Sequence, residues 1–397
     1  MPRLVADRPV LFTTSDLGRV MQAARAMEAR GERVLHLERG EPDFDTPPHV
    51  VEALARAARD GATHYPHERG EPRLREALVA KLAHENAIVA HPDDVTVTAG
   101  GTHALYLAIQ GVLGAGEELL VFSPHWMAVP KMVGLAHGAC YRSFPVYAAL
   151  QSGAWSAADL EAALRAALRP ETRALYLNTP NNPTGVVLTT EQLDAIARVA
   201  VERDLVVLSD EAYEHLTYDG ARHVSIASRP GMAERTLSVF SFSKSYAMTG
   251  WRVGYVVAPE ALRPVLGPLL AFYTTHGVFP AAQLAALAAV TGPQDAVAAM
   301  RASYDERRRR LLDGLASGGC VRAVAPQGAF YVFADVAEAL AGRALWALVD
   351  EWLAAGVACL PGTAFGASYD HHVRLALCAR ADDVAEAGRR IAQLTAR

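Results

Sequence analysis

From residue 95 onward the chain alternates short apolar strands with helical stretches, and this alternation constrains the fold more than any other feature. Strands that alternate with helices form a mostly parallel sheet with helices on its faces. The pattern predicts strands at residues 95–98, 119–122, 174–177, 205–208 and 237–240. Because ligands of such sheets bind beyond the carboxyl ends of the strands, the residues after each strand are the candidates for function.

The segment after the last of these strands reads S-F-S-K-S-Y-A-M-T-G-W-R and centres on Lys244. A lysine at the end of a buried strand is costly to desolvate unless chemistry uses it. With a lowered pKa it is a nucleophile that forms a Schiff base with an aldehyde. Ser241, Ser243 and Arg252 can hold a phosphate nearby, so the segment suggests a lysine that binds pyridoxal 5'-phosphate (PLP). Alone, S-x-S-K more often marks a surface lysine in a polar loop.

The residues after the first two strands could bind an anion and stack on an aromatic ring. Gly100 and Gly101 let the backbone approach a ligand, and the helix that opens at Thr102 presents free N–H groups to an anion. Trp126 leaves the second strand, where it can lie flat on an aromatic cofactor. Taken singly, a plain turn and a core tryptophan are the more common interpretations.

The next two strand ends carry polar groups suited to a pyridine ring. Asn182 lies in the rigid turn N-T-P-N-N-P-T-G and can donate to a phenolate oxygen, as can Tyr213 in S-D-E-A-Y. Asp210 ends an apolar run, so it should be buried, and a buried carboxylate needs a partner. A protonated pyridine nitrogen is a suitable one.

Composition excludes several other classes. The net charge of −5 argues against a nucleic-acid surface, and the four cysteines show no C-x-x-C pairing and predict no metal site. No apolar run is long enough for a membrane span, and the first residues lack the apolar core of a signal peptide, so we expect a cytoplasmic protein. The run 307–310 of four arginines is expected to be a solvated helix face.

Five motifs together resemble the class I/II aminotransferases of PLP fold type I, and the resemblance covers essentially the whole chain. They are G-E-P-D-F-D-T-P, N-T-P-N-N-P-T-G, S-D-E-A-Y, S-F-S-K-S-Y-A-M-T-G-W-R-V-G-Y and P-G-T-A-F-G. The resemblance implies an α/β fold. A large PLP-binding domain (48–290) has a mostly parallel central sheet with helices on both faces, and a smaller α/β domain (291–397) packs with the N-terminal segment (1–47).

The resemblance also implies roles for individual residues. Lys244 matches the lysine of the internal aldimine, Asp210 the partner of the pyridine nitrogen, and Asn182 and Tyr213 the partners of the phenolate oxygen. The remaining matches are the phosphate cup (Gly101, Thr102, Ser241, Arg252), the ring-stacking Trp126, the substrate-carboxylate clamp (Gly40, Arg374) and Tyr65, which reaches the phosphate of the neighbouring subunit of a homodimer. We also predict that Gly100 and Ser243 bind the cofactor and that Trp126 and Asn182 contact the substrate.

The implied reaction moves an amino group between an L-2-amino acid and a 2-oxo acid by ping-pong chemistry through the Lys244 aldimine. A PLP-dependent lyase, cyclase or β/γ-replacement enzyme on the same fold remains open, since nothing in the PLP-binding motifs separates these reactions. A ligand-sensing domain of a transcription regulator is a third reading, and it requires an appended DNA-binding domain.

One departure from the family pattern bears on the substrate. Aspartate-preferring bacterial members often carry a lysine after the Gly-Gly pair, whereas this chain has Thr102. A distal carboxylate would need another cation, such as Arg69, Lys131 or His103, none of which the sequence places in the site. We therefore predict that a neutral or aromatic amino acid is a better donor than aspartate.

Overall fold

The structure is a computed structural model that describes residues 15–396. Its strands form three sheets. In chain order the strands are β1 (Leu35–His36), β2 (Val95–Thr98), β3 (Glu118–Ser123), β4 (Cys140–Pro145), β5 (Thr172–Asn178), β6 (Val206–Asp210), β7 (Thr236–Ser241), β8 (Gly254–Val257), β9 (Arg322–Ala323), β10 (Tyr331–Asp335), β11 (Val357–Ala358), β12 (Leu360–Pro361) and β13 (His372–Ala376).

The helices surround these sheets. Within residues 15–396, none combines the length and the hydropathy that crossing a bilayer requires. In chain order the helices are α1 (Asp16–Glu28), α2 (Pro48–Arg59), α3 (Pro72–Lys81), α4 (Gly101–Val112), α5 (Val129–Leu135), α6 (Tyr147–Gln151), α7 (Ala157–Ala167), α8 (Thr190–Glu202), α9 (Phe242–Ser245), α10 (Arg263–Thr274), α11 (Pro280–Thr291), α12 (Asp295–Ala316), α13 (Ala337–Leu340), α14 (Leu345–Ala354) and α15 (Ala381–Thr395).

The central sheet has seven strands in the order β2-β8-β7-β6-β5-β3-β4. Strands β3 to β7 pair in parallel, while β8 pairs antiparallel with both β7 and β2. The predicted mostly parallel sheet is therefore confirmed, and β8 is its one reversed strand. Because β2 runs in the same direction as β7, the carboxyl ends of the five predicted strands meet at one edge.

Helices cover both faces of this sheet, as predicted. On one face, Leu105 of α4 and Leu266 of α10 pack against strand residues such as Val121. On the other, Leu160 of α7 and Ile196 of α8 pack with a second set of strand side chains. Burial on both faces explains why these strands are continuous apolar runs.

A smaller four-stranded sheet, in the order β12-β13-β10-β9, lies within a separate core. Val20 of α1 and Leu35 of β1 belong to the same core as residues of α12, α14 and α15. Strand β1 also pairs in parallel with β11, so the N-terminal segment joins the C-terminal part of the chain. Residues 1–14 of the predicted N-terminal segment and residue 397 lie outside the described residues, and the domain boundaries at 47 and 290 stay a prediction.

The arginine run at 307–310 differs from the expectation of a solvated face. The side chains of Arg307 and Arg308 are only 7% and 3% exposed, whereas those of Arg309 and Arg310 are 65% and 42% exposed. Arg307 donates to Asp43, 2.6 Å away, in the segment that follows Gly40. Two of the four arginines are therefore structural, because consecutive residues point about 100° apart on a helix and half of this run turns toward the core.

Candidate active site

A cleft of about 330 Å³ opens at the carboxyl edge of the central sheet. The carboxyl ends of β5, β6 and β7 form its floor, and β10 and β13 of the smaller sheet supply its opposite wall. Its lining residues are Leu17, Gly40, Glu41, Gly101, Thr102, Trp126, Met127, Asn178, Asn182, Asp210, Ala212, Tyr213, Ser241, Ser243, Lys244, Thr249, Arg252, Tyr331 and Arg374.

Lys244 lies just beyond β7, on the four-residue helix α9. This helix begins there because the Ser241 side chain accepts a hydrogen bond from the N–H of Ser243, at 3.2 Å. The ammonium of Lys244 donates to the carbonyl oxygen of Gly40, at 2.6 Å. Burial lowers the pKa of Lys244, which favours the free amine that a nucleophile or a base requires.

Asp210 ends β6 as a buried carboxylate. Its oxygens accept hydrogen bonds from the Tyr176 hydroxyl, at 3.0 Å, and from the Ala212 N–H, at 3.2 Å. Burial raises the pKa of Asp210 to about 6. Among residues 15–396, no side-chain cation lies within ion-pair distance of it, so this carboxylate is suited to a cationic partner that enters the cleft.

Tyr213 and Asn182 line the same cleft as Asp210. The Tyr213 hydroxyl lies 3.0 Å from that of Tyr331, and the side chain of Asn182 accepts from Arg374, at 3.3 Å. Burial raises the pKa of Tyr213 well above its ordinary value, so the hydroxyl keeps its proton and can donate it in a hydrogen bond. The cleft thus offers donors around the buried carboxylate.

An anion cradle forms where α4 begins. Gly100 has a φ of +86°, and a Cβ on it would come within 2.5 Å of the Arg252 guanidinium. A Cβ on Gly254 of β8 would come within 2.6 Å of the Gly101 nitrogen. The 12-residue helix α4 presents its first N–H groups to the cleft between Ser241 and Arg252. Backbone donors, a hydroxyl and a guanidinium are the groups that bind phosphate.

Arg374, on β13, is a buried cation in the opposite wall. Its guanidinium donates to the carbonyl oxygen of Glu38, at 2.6 Å, and lies 4.4 Å from the ring centre of Tyr331. Its Nε is buried without a hydrogen-bond partner, and no carboxylate of residues 15–396 lies within ion-pair distance. A buried, incompletely paired guanidinium is suited to a carboxylate ligand.

Gly40 and Trp126 complete the set that the sequence predicted for the cleft. A Cβ on Gly40 would overlap the Tyr331 hydroxyl, so the close approach of this loop requires glycine. Trp126 follows β3 and lines the cleft. Thr102 and Ser243 also line the cleft. Gly100 lies against the guanidinium of Arg252, which is itself a lining residue.

Tyr65 is the one predicted site residue that lies away from the cleft. Its side chain is 76% exposed, and its ring packs on that of His276, with the ring centres 5.2 Å apart. A role for Tyr65 in a site therefore requires a second subunit.

Sequence reasoning missed four residues that shape the site. Asn178 ends β5 and bonds to the backbone of both Asp210 and Asn182, and its place at the start of N-T-P-N-N-P-T-G could have revealed it. Tyr176 lies inside a buried strand, Tyr331 in a strand of the smaller sheet and Leu17 in the N-terminal helix. No local sequence signal marks these three.

Comparisons with known proteins agree with this geometry. Residues 32–391 match the family model described as "Aminotransferase class I and II". An aspartate aminotransferase of Geobacillus stearothermophilus is 36% identical over 98% of both chains. An aspartate/prephenate aminotransferase of Thermus thermophilus is 40% identical over 94% of both. The solved aspartate aminotransferase of Thermus thermophilus with maleate superposes with a TM-score of 0.90 and 36% identity, covering 99% of this chain and 100% of that one.

Proposed function

Because the chain belongs to the class I and II aminotransferases, a PLP-dependent family, and is itself an aminotransferase, we propose that the cleft at the carboxyl edge of the central sheet is its active site. The observation that carries the proposal is the convergence in one cleft of a buried lysine, a buried unpaired carboxylate and a buried guanidinium, namely Lys244, Asp210 and Arg374. These groups come from three distant parts of the sequence. They supply the amine, the ring counter-ion and the carboxylate receptor of transamination.

The chemistry of the donor set fits PLP. The cradle of Gly100, Gly101, Ser241 and Arg252 suits its phosphate, and the buried carboxylate of Asp210 suits its protonated ring nitrogen. When bound, PLP supplies an aldehyde that takes up the amino group and a ring that accepts the electron pair released at the α-carbon. Asp210 keeps a proton on the ring nitrogen, which sustains that electron withdrawal.

Lys244 has two roles in this proposal. Its Nζ holds the cofactor, and once displaced it carries the proton of the substrate α-carbon. Burial lowers the pKa of Lys244, which favours the neutral amine that can accept that proton. The contact with the Gly40 carbonyl keeps the amine beside the loop that carries the substrate-binding glycine.

Arg374 orients the substrate. Its buried guanidinium forms bidentate hydrogen bonds with the α-carboxylate, and these fix the direction of the Cα–H bond relative to Lys244. Tyr331, against which Arg374 packs, holds the guanidinium plane, and its own hydroxyl is tied to Tyr213. The pair Tyr213 and Tyr331 therefore links substrate binding at Arg374 to the hydrogen bonds around the cofactor ring.

A single assay tests the reaction. Purified protein with PLP, an amino acid and 2-oxoglutarate should form glutamate and a new 2-oxo acid in equal amounts, without ammonia. Release of ammonia or of a side-chain leaving group in place of glutamate would instead indicate the lyase or replacement chemistry. Arg374→Gln, with the same assay, should lose kcat/KM for every donor, since all share the α-carboxylate.

We further expect a neutral or aromatic donor to outcompete aspartate. Among residues 15–396, the side-chain cations lining the cleft are Lys244, Arg252 and Arg374, and each already has a role. Arg69 donates instead to the carbonyl oxygen of Asp93, at 3.0 Å. Leu17, Trp126 and Met127 supply apolar lining for an uncharged side chain. A buried distal carboxylate without a cation is strongly disfavoured.

The measurement is kcat/KM for aspartate against phenylalanine, methionine and alanine with 2-oxoglutarate. Thr102→Lys should raise the relative rate with aspartate, while Thr102→Ser, the matched control, should not. Aspartate leading by about tenfold in the unmodified enzyme, or about 1.4 kcal/mol of transition-state preference, would contradict this expectation. Arg69 would then be the first cation to replace.

The active unit in this proposal is a homodimer. Tyr65, Phe272 of α10 and Phe279, just before α11, expose 76%, 81% and 53% of their surface. Tyr65 and Phe279 line one surface depression, and contiguous exposed apolar surface is typical of an interface. Tyr65 would then reach the phosphate cradle of the partner subunit, which explains its position away from the cleft of its own chain.

Mixing two inactive variants tests the shared site. Lys244→Ala and Tyr65→Ala subunits, refolded together in equal amounts, should recover about a quarter of the activity, because half of the dimers are hybrids with one intact site each. Tyr141→Ala is the matched control, since Tyr141 is also exposed (43%) and should have little effect. A fully active monomer in sedimentation would refute the proposal.

A further inference from the structure

Two histidines and an aspartate gather at the end of the smaller sheet, outside the cleft. Asp335 ends β10 and lies opposite His372, which begins β13, and His371 precedes it. One ligand atom from each of these three side chains lies within 4.8 Å of the other two. Imidazole nitrogen and carboxylate oxygen are the donor types that bind Zn²⁺ and related divalent cations.

Neighbouring groups fix the orientation of these three side chains, as outer-shell hydrogen bonds do for metal ligands. The Nδ1 of His371 lies 3.1 Å from a carboxylate oxygen of Asp370, which leaves Nε2 for a cation. One oxygen of Asp335 accepts from the Ala337 N–H, at 2.8 Å, and the other is available. The ring of His372 stacks on Phe333, with ring centres 4.7 Å apart, and its Nδ1 is buried without a partner.

A second group of possible ligands consists of Glu85, Glu214 and His215. In this group the charges are already balanced by a side chain of the protein. There the ammonium of Lys81 lies 2.5 Å from Glu214 and 3.6 Å from Glu85. His215 Nδ1 is engaged by the Ser245 hydroxyl. A cation is already supplied by the protein at that group, whereas no lysine or arginine of residues 15–396 forms an ion pair with Asp335.

We propose that Asp335, His371 and His372 form a binding site for a divalent transition-metal cation of the Zn²⁺ type. This differs from the expectation, drawn from the cysteines, that the chain has no metal site. Zinc with bonds of about 2.0–2.1 Å places tetrahedral ligands about 3.4 Å apart, so small side-chain rotations close the group around the ion, and a water takes the fourth position. The bound cation ties β10 to β13, the strands that carry Tyr331 and Arg374.

The test measures Zn²⁺ binding to the untagged holoenzyme by isothermal titration calorimetry. We expect one saturable site per chain. His371→Gln and Asp335→Asn each remove a ligand, and asparagine at 335 still accepts from the Ala337 N–H. Both positions are only partly buried, so both variants should fold. Each should weaken Zn²⁺ binding at least about tenfold, since one of three protein ligands is lost. His91→Gln, which alters an exposed histidine beside Asp93, should leave binding unchanged.

Two further readouts separate this site from adventitious binding. Zn²⁺ should raise the melting temperature of the wild-type holoenzyme and of His91→Gln, but not of His371→Gln. X-ray absorption of the zinc-loaded protein should show nitrogen and oxygen neighbours only. A sulfur neighbour would assign the ion to a thiol such as the exposed Cys140. Equal affinities in all variants, or no saturable binding, would overturn the proposal.

Discussion

Lys244→Ala is expected to abolish covalent attachment of the cofactor and to reduce transamination by at least roughly 10²–10⁴-fold, the usual contribution of one positioned proton transfer. The reason is that, of the three lysines of the sequence, all within the described residues, Lys244 alone lines the cleft, where burial lowers its pKa. The measurement is borohydride reduction of the PLP-loaded protein followed by peptide mapping. In the wild type the label should lie on the peptide that contains Lys244.

The other lysines of the chain provide the controls. Lys131 lies on α5 outside the cleft lining, so Lys131→Ala should keep the label. Lys81 is buried in an ion pair with Glu214 and should never be labelled. Label retained by Lys244→Ala, or found on Lys81 or Lys131 in the wild type, would show that the cofactor is held elsewhere.

Asp210→Asn is expected to lose most activity and to weaken PLP binding, yet to stabilise the protein without cofactor. Burial raises the pKa of Asp210 from 3.8 to about 6, so the charged form is disfavoured in the folded apoprotein. The resulting loss of folding stability is absent below pH 4, grows as the pH rises toward 6, and is complete above pH 6. A shift of this size corresponds to about 3 kcal/mol. Asparagine keeps the shape of the side chain without the charge.

Thermal unfolding of the two apoproteins checks this. At pH 7.5 the Asp210→Asn apoprotein should melt above the wild type, and the difference should shrink toward pH 4. With PLP added, the order should reverse, because only the wild type gains an ion pair with the ring. Near-normal turnover in Asp210→Asn, or an apoprotein less stable than the wild type at pH 7.5, would contradict the proposed role.

The chemistry at the strand ends was readable from the sequence because each signal is local. An apolar run that ends two residues before Asp210, or four before Lys244, predicts both that the residue is buried and that it lies at one edge of the sheet. The structure brings these residues into one cleft, as expected. The reversed strand β8 was not anticipated, since four residues, Gly254–Val257, carry no mark of their direction.

What the sequence could not supply is contact between distant segments. Tyr331 packs under Arg374 and bonds to Tyr213, but nothing near it in the chain identifies it as a site residue. Arg307 and Arg308 looked solvent-exposed because four arginines in a row suggest a charged surface. Their burial depends on Asp43 and Asp219, which lie far away in sequence.

The parallel pairing of β1 with β11 has a consequence for how the protein is made. Leu35 and Val357 are partners although about 320 residues separate them, a gap that takes roughly 15 to 65 s to synthesise on a ribosome. Until then Val20, Leu35 and Leu37 lack most of the core into which they fold. The segments that form the phosphate cradle and carry Lys244 are translated well before Arg374, so a nascent chain can assemble its cofactor pocket before its substrate pocket. The N-terminal apolar residues meanwhile stay outside their core, and apolar surface exposed in this way is prone to aggregate.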